Sequence, residues 1–177
     1  MPSTVKYEFI DKTLFFLEKG ILVIGDLHIG YESALRQSGI LIPERQLKDI
    51  ISSIERIINK IKEKNYSLNK IIFIGDIKHA FFFDKNERDD FHEILEFLGG
   101  HIPEENIIFI KGNHDTSDYS PNSLMKHYHS EGVIAFAHGH KVIQEVFYPE
   151  VEIVVMGHLH PCIILQATYY IGVRRTS

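Results

Sequence analysis

The stretch Ile21-Leu22-Val23-Ile24-Gly25-Asp26-Leu27-His28 sets the pattern that the rest of the chain repeats. Its four consecutive aliphatic residues are typical of a strand buried on both faces, as in a sheet covered by helices. A glycine then ends the strand, and a carboxylate and an imidazole follow at once. Four later apolar runs end in the same way: residues 71–74 before Gly75-Asp76, 107–110 before Gly112-Asn113-His114-Asp115, 133–137 before His138-Gly139-His140, and 153–156 before Gly157-His158-Leu159-His160.

Helical segments alternate with the first of these strands. Residues 31–37 predict a short helix, residues 43–64 the longest one and residues 86–98 a third. The longest has apolar residues at i, i+3, i+4 and i+7, which favours a helix lying on a sheet over a coiled-coil seam. Residues 7–10 and 14–17 predict a hairpin. Strands alternating with helices indicate an α/β layered fold, and without a linker we expect one domain over residues 1–177.

Composition excludes several classes of protein. The chain has 177 residues, 44% of them hydrophobic, and one cysteine, Cys162, which excludes an internal disulfide framework and favours a reducing cytoplasm. The first ten residues do not form a signal peptide, and no apolar run is long enough to span a bilayer, so we expect no membrane association. The net charge of −5 argues against a surface that coats nucleic acid. A nuclease is still allowed, because bound cations change the sign of the local field.

The polar clusters are expected to converge, because ligands of open α/β sheets bind outside the carboxyl ends of the strands. Asp26 and His28 are spaced i, i+2, as are His158 and His160, so each pair points to one side of an extended segment. Asp76 offers a carboxylate that can bridge two cations.

Asn113 adds a carbonyl oxygen and His138 an imidazole, giving a mixed nitrogen and oxygen ligand set for two metals. Such a set suits manganese above all, and also iron, zinc, cobalt or nickel, better than magnesium or calcium. Two such ions, roughly 3.5–4 Å apart, would clamp a phosphoryl oxygen and activate a bridging water for in-line attack.

The series GDxH, GD, GNHD, HGH and GHxH resembles the motifs of the calcineurin-like metallophosphoesterase superfamily, from residue 21 to about residue 161. The resemblance implies a layered αββα sandwich of mixed sheets flanked by helices. It implies that the first metal is bound by Asp26, His28 and His160, the second by Asn113, His138 and His158, and both by Asp76. His114 would lie over the metals without binding them and protonate the leaving oxygen or stabilise the transition state, a role that contributes on the order of 10²–10⁴ in rate.

One motif departs from the protein phosphatases of the superfamily, which carry GDxxDRG. This chain has Gly75-Asp76-Ile77-Lys78-His79, and GDxxH resembles the nuclease branch and a group of small archaeal and bacterial phosphoesterases described as ICC-like. The resemblance implies that His79 holds the substrate phosphate or pairs with His114. We therefore expect a phosphodiester substrate, in a nucleic acid or a nucleotide. The alternatives are a phosphomonoesterase and a metal-binding scaffold with weak catalysis.

Several neighbouring residues receive simpler expectations. His140 is expected either beside the ligands or on the rim, and Asp115 either orients His114 or begins a turn. Lys78 and Lys111 lie next to predicted ligands, where a lysine can meet a phosphate, but the simpler expectation is that both lie in solvent. The acidic face of the third helix, which consists of Glu87, Asp89, Asp90, Glu93 and Glu96, is expected in solvent as well. Residues 116–131 predict a loop or a short helix, which together with residues 81–84 would select the substrate.

The C-terminal part is short. Only residues 162–177 follow the last motif, with strand-like runs at 162–165 and 168–171, whereas relatives continue with further strands. We expect either a trimmed fold or a piece of a longer protein. An incomplete sheet exposes an edge or apolar surface, so a homodimer is also expected.

Overall fold

The computed structural model describes residues 5–120 and 125–158, and the backbone of residues 163–166. Within these residues the strands are β1 (Tyr7–Ile10), β2 (Thr13–Phe16), β3 (Ile21–Ile24), β4 (Lys70–Phe73), β5 (Ile107–Phe109), β6 (Tyr128–Glu131), β7 (Ile134–Ala137), β8 (Ile153–Met156) and β9 (Ile163–Gln166). The helices are α1 (Tyr31–Gln37), α2 (Gln46–Glu63) and α3 (Lys85–Gly99).

The strands form two mixed sheets. The first has the order β1-β2-β3-β4-β5, in which β3, β4 and β5 are parallel and the β1–β2–β3 pairs are antiparallel. The second has the order β6-β7-β8-β9, with β7 and β8 parallel and both edge strands antiparallel to their neighbours. The parallel strands β3, β4 and β5 therefore end at one edge of the first sheet.

Apolar side chains fill the space between the two sheets and the space under the helices. The inter-sheet core includes Val23 and Ile72 from the first sheet and Phe136 and Val155 from the second. The other face of the first sheet packs against α2 and α3, whose buried apolar residues are Ile54, Ile57, Ile58 and Ile61 from α2 and Phe91, Ile94 and Leu98 from α3. The central strands of the first sheet are thus covered on both faces, as their aliphatic runs predicted.

The second sheet is covered differently. Its outer face packs against Val146, in a 3₁₀ helix at Gln144–Phe147, and Val151. The predicted α/β class, with two mixed sheets flanked by helices, is confirmed.

Two element predictions need correction. Part of the segment predicted as a loop or short helix is β6, which pairs with β7 across Gly132; its sequence, Tyr-His-Ser-Glu, lacks the apolar alternation that identifies a strand. The longest helix begins at Gln46, later than expected from Pro43. The Glu32 carboxylate accepts hydrogen bonds from the backbone N–H groups of Arg45 (2.7 Å) and Gln46 (2.8 Å), so a tertiary contact sets this start.

No helix among the residues that the structure describes is long and apolar enough to cross a membrane. The predicted strand at 168–171, the single cysteine Cys162 and the predicted metal ligand His160 lie outside those residues.

Candidate metal centre

The segments that follow β3 and β4 continue side by side beyond the sheet. The backbone N–H of His28 donates to the Asp76 carbonyl at 3.0 Å, and that of Ile29 donates to the Ile77 carbonyl at 2.8 Å. The Asp76 carboxylate in turn accepts a hydrogen bond from the backbone N–H of His114 at 2.9 Å, which ties in the loop after β5. Convergence at the carboxyl ends of the strands, predicted from their order, is observed.

Three predicted ligands have left-handed backbone conformations. The φ angles are 48° at His28, 47° at Asp76 and 65° at His158. Such conformations cost a non-glycine residue on the order of 1–3 kcal/mol and persist where the surrounding structure enforces them, often at functional sites. Here the fold maintains them at three of its strand ends.

His138 is oriented by the backbone of the first sheet. Its ring is 1% exposed, and its Nδ1 lies 2.8 Å from the Ile74 carbonyl oxygen. A carbonyl only accepts, so Nδ1 carries the proton and Nε2 is directed at Asn113 Oδ1 (3.2 Å) and Asp76 Oδ2 (3.3 Å). Ligating histidines are commonly oriented in this way, with one ring nitrogen bonded to a backbone carbonyl and the other facing the metal.

The electrostatics of this group favour a positive charge among its atoms. Burial raises the pKa of Asp76, but hydrogen bonds from His138 and from the His114 backbone outweigh it and leave the pKa at about 2. Burial lowers the pKa of His138, but its bonds to Asp76 and Ile74 more than compensate, so the pKa lies above its usual value. A carboxylate, an amide oxygen and an imidazole nitrogen therefore meet where a cation is needed.

Glycines provide the space that the ligands occupy. A Cβ atom at Gly112 would lie 2.2 Å from Asp76 Oδ1, one at Gly75 would lie 2.4 Å from His138 Nδ1, and one at Gly157 would lie 2.7 Å from Asp26 Oδ1. Each distance is below van der Waals contact, so any side chain here would displace a predicted ligand. The glycines of the recurring motifs thus have a steric function.

Two groups of predicted ligands come close enough to hold metal ions. Ligand atoms of Asp26, His28 and Asp76 lie within 4.8 Å of one another, and so do those of Asp76, His138 and His158. Asp76 belongs to both groups, as expected of a bridging carboxylate, and Asn113 joins the second through its contact with His138. The donor set and its glycine-lined space fit two divalent ions. The individual ligand assignments stay predictions.

A third group consists of the imidazoles of His28, His79 and His114, whose ring nitrogens also lie within 4.8 Å. The His114 ring centroid is 4.9 Å from that of His28 and 5.6 Å from that of His79, to which it is nearly parallel. Its Nδ1 donates to the His79 carbonyl at 2.6 Å, so Nδ1 carries a proton and Nε2 is the ring nitrogen that takes no part in this bond. Burial lowers the pKa of His79, and electrostatic repulsion from the nearby His114 lowers it further. Both predicted catalytic histidines therefore lie beside the ligand groups.

His140 lies beside the second ligand group. Its ring centroid is 5.2 Å from that of His138 and 6.3 Å from that of His158. Its buried Nδ1 has no hydrogen-bond partner among the described residues, and burial lowers its pKa. Of the two expectations for His140, the position next to the ligands is observed.

Asp115 has a function that the sequence left open. Its carboxylate, 0% exposed, accepts backbone hydrogen bonds from Gly112 (2.8 Å), Ile77 (3.0 Å) and Lys78 (3.3 Å), so it ties the loop after β5 to the loop after β4. Burial raises its pKa in spite of these bonds. Asp115 thus positions the backbone around Asp76 rather than the His114 ring.

Two residues expected in solvent are buried beside the site. Glu87 is 3% exposed because its Oε1 accepts from the backbone N–H groups of His79 (3.2 Å) and Ala80 (2.7 Å). Lys78 is 2% exposed, and its Nζ donates to the Ala80 and Phe82 carbonyls. The sequence contained a partial signal: Asp84 caps α3 and accepts from the Glu87 N–H at 3.0 Å, as in a capping box, in which the glutamate would turn back toward the cap.

Comparisons with known proteins agree with this geometry. The sequence profile described as calcineurin-like phosphoesterase matches residues 20–147. The crystal structure of the nuclease MPE from Pseudomonas putida is similar, with a TM-score of 0.59 and 18% identity over 88% of this chain and 74% of that chain. At this identity the similarity shows a shared fold. No curated protein matches the chain.

Proposed function

Because the chain belongs to the calcineurin-like phosphoesterase family, we propose that it hydrolyses a phosphodiester with the help of two divalent transition-metal ions. The observation that carries this proposal is the position of Asp76, which belongs to both three-residue ligand groups. His114, next to these groups, donates its backbone N–H to Asp76, and we assign its imidazole to the substrate.

The residues divide between two ions. Asp26 and His28, with His160, would hold one ion, Asn113, His138 and His158 would hold the other, and Asp76 would contact both. Manganese suits the mixed nitrogen and oxygen donors, and iron, zinc, cobalt or nickel are compatible with them. When bound, two such ions supply Lewis-acid activation of the phosphoryl group and lower the pKa of water in the site.

His114 supplies the proton for the leaving group. The hydrogen bond from its Nδ1 to the His79 carbonyl fixes the ring, so a proton on Nε2 can pass to the leaving ester oxygen. The backbone of His79 is itself held by Glu87, which steadies its imidazole beside His114 to bind a phosphate oxygen. The imidazoles of His114 and His79 thus act on the substrate, whereas the carboxylates of Asp26 and Asp76 would bind the metals.

A diester is favoured over a monoester by two observations. His79 stands where protein phosphatases of the superfamily carry an aspartate, and the resulting GDxxH motif resembles that of the nuclease branch, whose substrates are diesters. The structurally similar Pseudomonas putida protein is a nuclease, and nucleases cleave phosphodiesters.

Turnover of simple esters tests the proposal. Manganese-loaded protein is assayed with bis(p-nitrophenyl) phosphate and with p-nitrophenyl phosphate, and Asp76→Asn is compared with Asp89→Asn on the exposed surface of α3. We expect diester hydrolysis that EDTA abolishes and manganese restores, and a loss of at least about 1,000-fold in Asp76→Asn only, since metal activation accounts for several kcal/mol. Turnover of the monoester alone would favour a phosphomonoesterase. Bound metal without turnover of either ester would favour the scaffold.

A further inference from the structure

An exposed aromatic segment borders the predicted catalytic histidines. Phe81, Phe82 and Phe83 are 57%, 66% and 56% exposed, although apolar rings of this size are normally buried. The ring of Phe81 lies on that of His114, with centroids 4.1 Å apart and planes inclined by 30°. Contiguous exposed apolar surface of this kind marks a binding site in many proteins.

Buried polar groups hold the backbone of this segment in place. The Lys78 ammonium donates to the carbonyls of Ala80 and Phe82, and the Thr116 hydroxyl donates to that of Phe81. The Glu87 carboxylate accepts from the Ala80 N–H at 2.7 Å. The buried side chains of Lys78 and Glu87 therefore hold this backbone in place, whereas the three phenylalanine rings stay exposed to solvent.

Phe81 is the phenylalanine of this segment whose ring contacts a predicted catalytic histidine. Phe83 is in contact with Tyr119 (5.8 Å) and lies under the Arg88 guanidinium (5.7 Å), whereas Phe81 contacts His114. A second aromatic ring, the half-exposed one of Tyr31, is 5.0 Å from that of His79. Two aromatic rings thus border the place where the phosphate would lie.

The overall charge of the chain disfavours a substrate held mainly along a phosphate backbone. The chain has a net charge of −5, and the buried Lys78 already donates to two backbone carbonyls. Proteins that bind unpaired nucleotides also use aromatic rings, on which bases stack with little dependence on sequence. Stacking needs a planar group with a free face, which a base inside a duplex does not offer.

We propose that Phe81, together with Tyr31 beside His79, forms an aromatic subsite that stacks an unpaired nucleobase of the substrate. The inference rests on the proposed phosphodiesterase function and names its substrate class, a nucleotide diester or an unpaired stretch of a polynucleotide. The base gives affinity through its flat face, so the subsite accepts any of the bases with modest preference for purines.

Calorimetry separates this inference from turnover. Manganese-loaded protein is titrated with 2′-deoxyadenosine 5′-phosphate, 2′-deoxyadenosine 3′-phosphate and 2-deoxyribose 5-phosphate, which lacks the base. We expect at least one nucleotide to bind on the order of 10-fold more tightly than the sugar phosphate. Because Phe81 also contacts His114, Phe81→Leu is assessed by the ratio of these dissociation constants, which we expect to fall to near one. Phe81→Trp should keep the ratio, and so should the control Phe147→Leu, an exposed phenylalanine (65%) at the end of the 3₁₀ helix Gln144–Phe147.

Equal binding of nucleotide and sugar phosphate would overturn the inference, and so would a ratio that Phe81→Leu leaves intact. Failure of the proposed function appears separately, as absence of hydrolysis of bis(p-nitrophenyl) phosphate by the same protein. The base could belong to a free nucleotide or to a polynucleotide. Cleavage assays with a single-stranded oligodeoxynucleotide and with its duplex distinguish these two substrates. Cleavage of the single strand, weakened by Phe81→Leu, assigns the subsite to polynucleotides. Nucleotide binding without strand cleavage assigns it to free nucleotides.

Discussion

The two ends of strand β4 show opposite treatments of polar groups. At its amino end the Lys70 ammonium donates to the Glu131 carboxylate, which also accepts from His129 Nε2 at 2.7 Å, so charges are paired with their opposites. Beyond its carboxyl end, Asp76, Asn113 and His138 point their ligand atoms at one another. At the amino end the charged groups neutralise one another, whereas the ligand atoms beyond the carboxyl end need a cation to balance them.

The backbone shows the same difference. Asp11 and Asn65, also left-handed, lie in the hairpin turn and just after α2, positions where such residues are common. The left-handed residues of the candidate centre are an aspartate and two histidines whose side chains are brought together. In the candidate centre, backbone strain is therefore located beyond the carboxyl ends of β3, β4 and β8, where ligands would bind.

Histidines from the two regions separate catalysis from stability. His114→Asn should lower kcat for a diester by about 10²–10⁴, because it removes the proton donor, and leave the manganese content unchanged. His129→Asn should leave kcat unchanged and lower stability only. Steady-state kinetics and metal analysis check both variants. Loss of metal in His114→Asn would instead make this residue a ligand and the three-histidine group a metal site.

Two glycines test the space around the centre. An alanine Cβ at Gly112 would lie 2.3 Å from the Asp76 backbone nitrogen, so Gly112→Ala should cost about 3 kcal/mol of unfolding free energy and abolish metal binding. Gly132 lies in the β6–β7 turn with a φ of 68°. A Cβ atom added there would have Lys19 Nζ as its nearest neighbour, at 3.4 Å. Gly132→Ala should cost only the left-handed strain, about 1–2 kcal/mol, and keep its activity.

Urea unfolding and manganese-dependent turnover measure these effects. Similar losses of metal binding in both glycine variants would mean that the centre depends on overall stability and not on the space at Gly112.

The buried carboxylate of Asp115 holds two loops of the centre. Asp115→Asn replaces one oxygen by an amide that cannot accept from the backbone, so we expect a loss of about 2 kcal/mol in unfolding free energy and of roughly 10–100-fold in kcat/KM. The exposed Asp89→Asn serves as its control. Full activity with reduced stability would show that Asp115 supports the fold without positioning the loops for catalysis.

The ion pair at the amino end of β4 predicts a pH dependence. Burial raises the pKa of Glu131, but hydrogen bonds from Lys70 and His129 outweigh it and leave the pKa below its usual value. A lowered carboxyl pKa stabilises the folded state above the unfolded pKa, near 4.5, and this stabilisation is lost as the pH falls through the folded pKa. Glu131→Gln should therefore cost about 1 kcal/mol at pH 7 and progressively less below pH 4.5.

Urea unfolding at pH 7 and pH 4, with Glu96→Gln on the exposed face of α3 as control, measures this difference. A cost that is equal at both pH values would contradict the assignment of the effect to charge.

Much of the fold could be predicted because it depends on local pattern. The aliphatic runs of β3 and β8 were predicted with their observed bounds, and α1 was predicted as Tyr31–Gln37. The misses have nonlocal causes: β6 is a strand because β7 pairs with it, and α2 begins where Glu32 binds its first N–H groups. Neither partner is visible in the segment itself.

The same division holds for the site. The ligand types, their order and the glycines before them are local features, and from these the residues of both ligand groups could be named. The burial of Glu87 and Lys78 could not, because an acidic helix face and a lysine after a strand are ordinarily solvated. Glu87 is buried because backbone N–H groups of the segment before α3 require an acceptor there, and Lys78 is buried because its ammonium turns back to the carbonyls of Ala80 and Phe82.

By itself, the sequence determined the α/β class, the family resemblance and the identity of the predicted ligands, since these depend on residue type and spacing along the chain. The tertiary structure alone decided that Asp115 and Glu87 hold the surrounding loops and that Phe81 covers His114. These depend on distances between segments far apart in sequence, which are set by sheet pairing and packing.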